Sequence, residues 1–103
     1  MEQHLHDAVL ERVDVDWMNK TVTFVFLLAS MSIEAVVRGI QVLELSRLQP
    51  WGPSNSVNTA TTLRGEGRTT LAIEMQSGDD VKVIGDEIAW SSQPRGGGDP
   101  VDQ

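Results

Sequence analysis

Leu71-Ala72-Ile73-Glu74-Met75-Gln76-Ser77-Gly78-Asp79-Asp80-Val81-Lys82-Val83 decides the fold class. Leu71, Ile73 and Met75 alternate with Ala72, Glu74 and Gln76, and Val81 and Val83 resume the alternation beyond Ser77-Gly78-Asp79-Asp80. Successive side chains of an extended chain point to opposite faces, so a period of two marks a strand with one face in a core. Ser, Gly and Asp between two such runs provide the short polar and left-handed residues of a tight turn. Residues 70–84 therefore read as a β-hairpin.

The same period recurs on both sides. Val9, Val13, Val15 and Trp17 fall on odd positions with Arg12, Asp14 and Asp16 between them, and Val22, Phe24, Phe26 and Leu28 fall on even ones. Met18-Asn19-Lys20 between the runs predicts a hairpin around Asn19, with Trp17 at a strand end in the core. Ala29–Ser32 reads as a second turn, Gly65-Glu66-Gly67 as a third, and Ile88 with Trp90 as a last strand that carries Trp90 into the core.

Ile33–Leu45 admits two readings. A helix would align Ile33, Val36, Val37, Ile40 and Leu43 on one stripe. Two strand segments would use the alternation of Ile33, Ala35 and Val37 and a change of parity past Gly39. Gly39 is about 1 kcal/mol less favourable than Ala inside a helix, and the β-branched content points the same way, so the bulged strand is preferred. Gln49–Asn58 reads as an irregular loop because Pro50 and Pro53 remove backbone donors; Val57 starts a short strand after it. From Ser91 the apolar pattern ends. The expected domain is 1–91, followed by a disordered tail over 92–103 rich in Gly and Pro. Together these features predict an all-β or β-dominated fold: an antiparallel sandwich or half-barrel of six to eight short strands, with a helix the alternative at 33–45.

Composition narrows the function classes. A chain of 103 residues is one domain, and 40% apolar residues suffice for one core. There is no cysteine, which excludes disulfides, thiolate metal sites and a cysteine nucleophile, and fits a reducing cytoplasm. The longest apolar run, Phe24 to Ala29, falls far short of the roughly 20 residues that span a bilayer, so no membrane partner is expected. Fifteen acids against eight bases give a net charge of −7, and the bases are scattered; such a surface repels phosphate backbones, so no nucleic-acid partner is expected either.

Three segments carry residues with chemistry. His4, His6 and Asp7 lie within four positions, and two imidazoles with a carboxylate form a weak metal-ligand set that lacks a further His. Pro50-Trp51-Gly52-Pro53-Ser54 holds an aromatic between two prolines, a stiff loop suited to anchoring an interface or to capping the end of a sandwich. The Gly78 turn carries Gln76, Ser77 and Asp79. If the two loops share one end of the fold, Trp51, Ser54, Asn58, Gln76, Ser77 and Asp79 form one aromatic and polar binding patch. No Gly-x-Ser-x-Gly elbow surrounds Ser54, Ser56 or Ser77, and no phosphate-cradling glycine pattern occurs, so no catalytic residue and no cofactor is assigned.

His6-Asp7-Ala8 with the strand ending in Asp16-Trp17, the Pro50–Ser54 loop with Val57-Asn58, and Ile73-Glu74-Met75-Gln76-Ser77-Gly78-Asp79 resemble a family of uncharacterised small bacterial β-rich proteins. The resemblance covers most of residues 6–84 and implies a compact β-fold without a catalytic or ligand role to carry over. In size and charge the chain is also similar to immunity proteins that neutralise toxins, an analogy at the level of fold and size. The resulting expectation is a cytoplasmic, non-enzymatic protein-interaction domain of bacterial origin, with a protein partner or self-association. The alternative is a small-molecule- or metal-dependent enzyme at His4, His6 and Asp7.

Overall fold

The computed structural model describes residues 2–3, 5–45 and 56–94. Among them are nine strands and no helix: β1 (Glu2–Gln3), β2 (Val9–Asp16), β3 (Thr21–Leu28), β4 (Met31–Arg38), β5 (Val42–Leu45), β6 (Val57–Gly65), β7 (Arg68–Met75), β8 (Asp80–Gly85) and β9 (Glu87–Pro94). They form two antiparallel sheets, one ordered β1-β6-β7-β8-β5 and the other β2-β3-β4-β9. Of the expected sandwich or half-barrel of six to eight short strands, the two-sheet antiparallel arrangement is what forms; the two-residue β1 takes the number of strands among the described residues to nine, and no helix of those residues is long and apolar enough to cross a membrane.

The core lies between the sheets. Phe24, Phe26, Val22, Ala35 and Val37 of β3 and β4 face Leu71, Ile73, Val57 and Val83 of β6, β7 and β8, all buried. The alternation read from the sequence decides which residues these are. In β7, Leu71, Ile73 and Met75 point inward while Glu74 stays in water. Phe26 stacks on Trp90, with ring centroids 6.2 Å apart and planes inclined by 24°. Trp90 therefore packs against the core, as expected.

Residues 33–45 are two strand segments. β4 lies in one sheet and β5 in the other, and the chain turns between them at Gly39 (φ +67°). β8 and β9 make the same crossing at Gly85 and Asp86, and they remain paired with β5 and β4 throughout: Arg38 faces Glu87 on one side of the corner and Val42 faces Ile84 on the other. One bent antiparallel ribbon, β4–β5 against β8–β9, thus belongs to both sheets. A Cβ on Gly39 would overlap the Asp86 carboxylate, and one on Gly85 would lie 2.7 Å from Val37 Cγ1 and 2.8 Å from the Arg38 carbonyl. Only glycine admits this approach.

Several boundaries differ from the expectation. The register of β2 slips between Leu10 and Arg12, so Leu10 and Val13 face Phe26 and Phe24 while Val9 turns outward. One extra residue in a strand reverses facing, which is why the odd-position pattern did not hold along the whole strand. The turn after β3 is Ala29-Ser30; Met31 and Ser32 already pair with Leu28 and Leu27. β6 runs for nine residues rather than as a short strand, because its Thr residues suit a pleated surface although they carry little apolar pattern. β9 continues to Pro94, which pairs with Met31, three residues past the boundary expected at 91.

Candidate functional site

The N-terminal segment and the Gly78 turn, which the sequence presents as separate candidates, meet at one end of the sandwich. Leu5–Ala8 makes a tight turn closed by the Ala8 N–H on the Leu5 carbonyl at 2.8 Å, with Asp7 in the left-handed region (φ 70°). Backbone bonds from Asp7 N–H to the Val57 carbonyl (2.9 Å) and from Val57 N–H to the Ala8 carbonyl (2.8 Å) dock this turn on the start of β6. Side chains then join three segments. Gln76 Nε2 donates to Asp7 Oδ1 at 2.6 Å and to the Val57 carbonyl at 3.3 Å. His6 Nδ1 donates to the Asn58 carbonyl at 3.0 Å, and Asn58 Nδ2 donates to Glu74 Oε1 at 3.1 Å.

Asn58 is placed for this by an irregularity. The β6–β7 register shifts between Val57 and Thr59, and Asn58 is the extra residue. Ser77 and Asp79 serve the turn itself. Met75 N–H reaches the Asp79 carbonyl at 2.8 Å, Gly78 N–H reaches the Met75 carbonyl at 2.9 Å, and Ser77 Oγ donates to Asp79 Oδ2 at 3.2 Å. Asp79 is buried and faces into the turn, whereas Gln76 is exposed.

Of the expected patch, Asn58, Gln76, Ser77 and Asp79 are therefore at one end of the fold, while Trp51 and Ser54 lie outside the described residues. The residues flanking that segment are at the same end: Leu45 pairs with Val81, and the Ser56 carbonyl accepts the Gln76 N–H at 2.9 Å. Of the weak metal candidates, His4 is outside the described residues. His6 Nε2 stands 3.7 Å from Asp7 Oδ1, with both side chains exposed. Among the described residues no three His, Asp or Glu side chains converge as a metal site would require.

A second site was not anticipated. Trp17, expected in the core, is 76% exposed, and Met18 beside it is 88% exposed. β2 ends at Asp16, so Trp17 opens the turn instead of extending the strand. The turn is firmly built. Asp16 Oδ2 accepts from Asn19 Nδ2 at 2.9 Å and Asp16 Oδ1 from the Asn19 N–H at 3.2 Å. Lys20 N–H reaches the Trp17 carbonyl at 3.2 Å, and Thr21 Oγ1 reaches the Asn19 carbonyl at 3.0 Å. The Asn19 side chain, and after it the Asn19 N–H, hold the Asp16 carboxyl below its ordinary value of 3.8. The usable signal was Asp16-x-x-Asn19, an Asx-type turn that begins one residue before Trp17.

Trp17 and Lys20 form one wall of a groove of about 650 Å³; Ile40, Gln41, Val42, Leu43 and Glu44 form the other. The walls are tied by the Ile40 N–H on the Lys20 carbonyl at 3.0 Å. Residues of both facings from β5 line the groove, so it follows the open edge of that strand rather than either face. β8 is the only strand that pairs with β5 among the described residues.

The fold as a whole is similar to that in the crystal structure of an uncharacterized protein from Neisseria gonorrhoeae, with a TM-score of 0.66 over 88% of this chain and 97% of that one at 12% sequence identity. No protein-family model and no curated protein matches the chain. At that identity the likeness establishes the shared β-fold alone, and it agrees with the resemblance to uncharacterised β-rich proteins.

Proposed function

We propose that this chain is a non-enzymatic protein-interaction domain whose contact surface centres on Trp17. The observation that carries the reading is a tryptophan 76% exposed on a hydrogen-bonded turn, at the mouth of a groove along a strand edge that no other described strand pairs. Large rigid aromatics dominate the energetics of protein interfaces. The turn's own hydrogen bonds mean that Trp17 loses little freedom on contact, which lowers the entropic cost of association. Leu45, 55% exposed, and Val42 extend the apolar surface along β5. The cysteine-free composition is in keeping with a reducing, cytoplasmic setting. In a bacterial cell the natural partner class is a protein, of the kind that small acidic immunity proteins meet.

The test is a photocrosslinking residue in place of Met18, expressed in the host cell. The expected product is one discrete protein–protein conjugate that disappears when Trp17 is also changed to Ser. The identified partner, purified, should bind at micromolar concentration and lose at least about tenfold in affinity with Trp17→Ser, in line with truncation of an interface anchor. No conjugate, or conjugates indifferent to Trp17, would overturn the reading.

A further inference from the structure

We infer that the partner seated in the β5 groove is a second copy of this chain, joined by antiparallel pairing of β5 with its counterpart about a two-fold axis through Leu43; this rests on the interaction reading above and names its partner. The first support is a comparison of the sheet edges. Among the described residues, β2 carries a bulge and the charges Arg12, Asp14 and Asp16; β9 ends in Ser91-Ser92-Gln93-Pro94; β1 is two residues long, and the stretch of β6 it leaves uncovered ends in Arg64-Gly65. Bulges, charges, proline and shortness are the devices that keep edges from pairing with other chains. β5, Val42-Leu43-Glu44-Leu45, has no bulge and no proline, and Glu44 is its single charge. It is also the edge along which the groove runs.

The second support is register. Residues directly opposite in an antiparallel pair share a face. Leu43 and Leu45 pair with the core residues Val83 and Val81, whereas Val42 and Glu44 pair with Ile84 and Lys82 on the outer face. A two-fold pairing that keeps inner beside inner must be centred on a residue. Centring on Glu44 opposes two carboxylates, which is unfavourable, and centring on Val42 leaves most of β5 unused. Centring on Leu43 sets Leu43 against Leu43 and Val42 against Glu44 of the other copy. Lys20 lies at the Ile40–Val42 end of the groove, so each Lys20 meets the other copy's Glu44, twice by symmetry.

Area agrees with this assignment. Four paired residues alone fall short of the roughly 800 Å² per partner of a stable interface. Trp17 and Met18 stand beside the groove, and a tryptophan contributes about 150–250 Å² when covered, so closing both turns over the neighbouring β5 brings the contact toward that range.

The experiment is sedimentation and light scattering of the full chain from micromolar to several hundred micromolar. The expected mass is twice the monomer's 11.3 kDa at the upper end. Lys20→Glu or Glu44→Lys alone should raise the dimer dissociation constant about tenfold by placing like charges across the axis at two sites. The double reversal K20E/E44K should restore it. Glu44 also faces Lys82 within its own sheet, so this rescue separates the interface from a local folding defect. A monomer at every concentration, a dimer indifferent to both single reversals, or a double reversal without rescue overturns the assignment. A monomer that still crosslinks to a different protein through Met18 overturns this inference while leaving the interaction reading standing; no conjugate at all overturns both.

Discussion

Gln76 Nε2 lies 2.6 Å from Asp7 Oδ1 and ties the Leu5–Ala8 turn to the turn between β7 and β8. The same amide reaches the Val57 carbonyl, so one side chain bridges three segments. Gln76→Ala should lower the unfolding free energy by about 1 kcal/mol, the net worth of a typical hydrogen bond, since this site is in contact with water. In thermal unfolding that is a fall of roughly 4–8 °C for a chain of this size. Asp7→Asn, which keeps an acceptor oxygen, should cost less than Asp7→Ala; equal losses would mean that the contact contributes nothing beyond packing.

Gly39 and Asp86 hold the corner where the paired β4–β5 and β8–β9 segments pass from one sheet to the other. Gly39→Ala combines a left-handed backbone, which costs an L-residue about 1–2 kcal/mol, with overlap on the Asp86 carboxylate. The expected destabilisation by urea titration is about 2–4 kcal/mol. Adding Asp86→Ala should recover part of it, because the overlap is relieved and the backbone strain is not. A strictly additive double variant would contradict the geometry.

Ala29 turns the chain between β3 and β4 at φ 55°, again in the left-handed region. Ala29→Gly relieves about 1–2 kcal/mol of strain and adds roughly 0.4–1 kcal/mol of unfolded-state entropy. A net gain of about 0.5 kcal/mol is expected, read as a small rise in the denaturant midpoint at unchanged slope.

Asp16 should titrate below its ordinary value in the folded chain because Asn19 donates to its carboxylate. A carboxyl lowered on folding contributes stability above its unfolded value, and that contribution disappears as pH falls through the folded value. Asn19→Ala removes the larger cause and leaves a backbone donor at position 19, so the Asp16 midpoint should move part of the way up toward 3.8. Carboxyl carbon shifts in an NMR titration read this directly.

The sequence made the kink at Gly39 legible because two signals coincide there: a glycine, and a change of facing between Val37 and Val42. The Gly78 hairpin was legible for the same reason, with turn residues between two alternating runs. The bulge near Glu11 was not, since no glycine marks it and its effect shows only in which residues oppose Phe24 and Phe26. β6 was underestimated because Asn58-Thr59-Ala60-Thr61-Thr62 is polar in composition while its Ala60 and Thr62 are buried. Trp17 was misplaced because it continues the odd-position pattern one residue past the end of β2. The meeting of Asp7 with Gln76 depends on docking a terminal turn against β6, a long-range event with no local pattern.

The paired segments that bend at Gly39 and Gly85 also dictate how the molecule comes apart. Because β4 runs into β5 and β8 into β9, two strands of each sheet are covalent continuations of strands in the other, and melting one sheet frees the ends that hold the other. The chain should therefore lose structure in a single cooperative step. The amides around Arg38 and Glu87 should exchange with solvent only through global unfolding, on the slowest timescale in the protein.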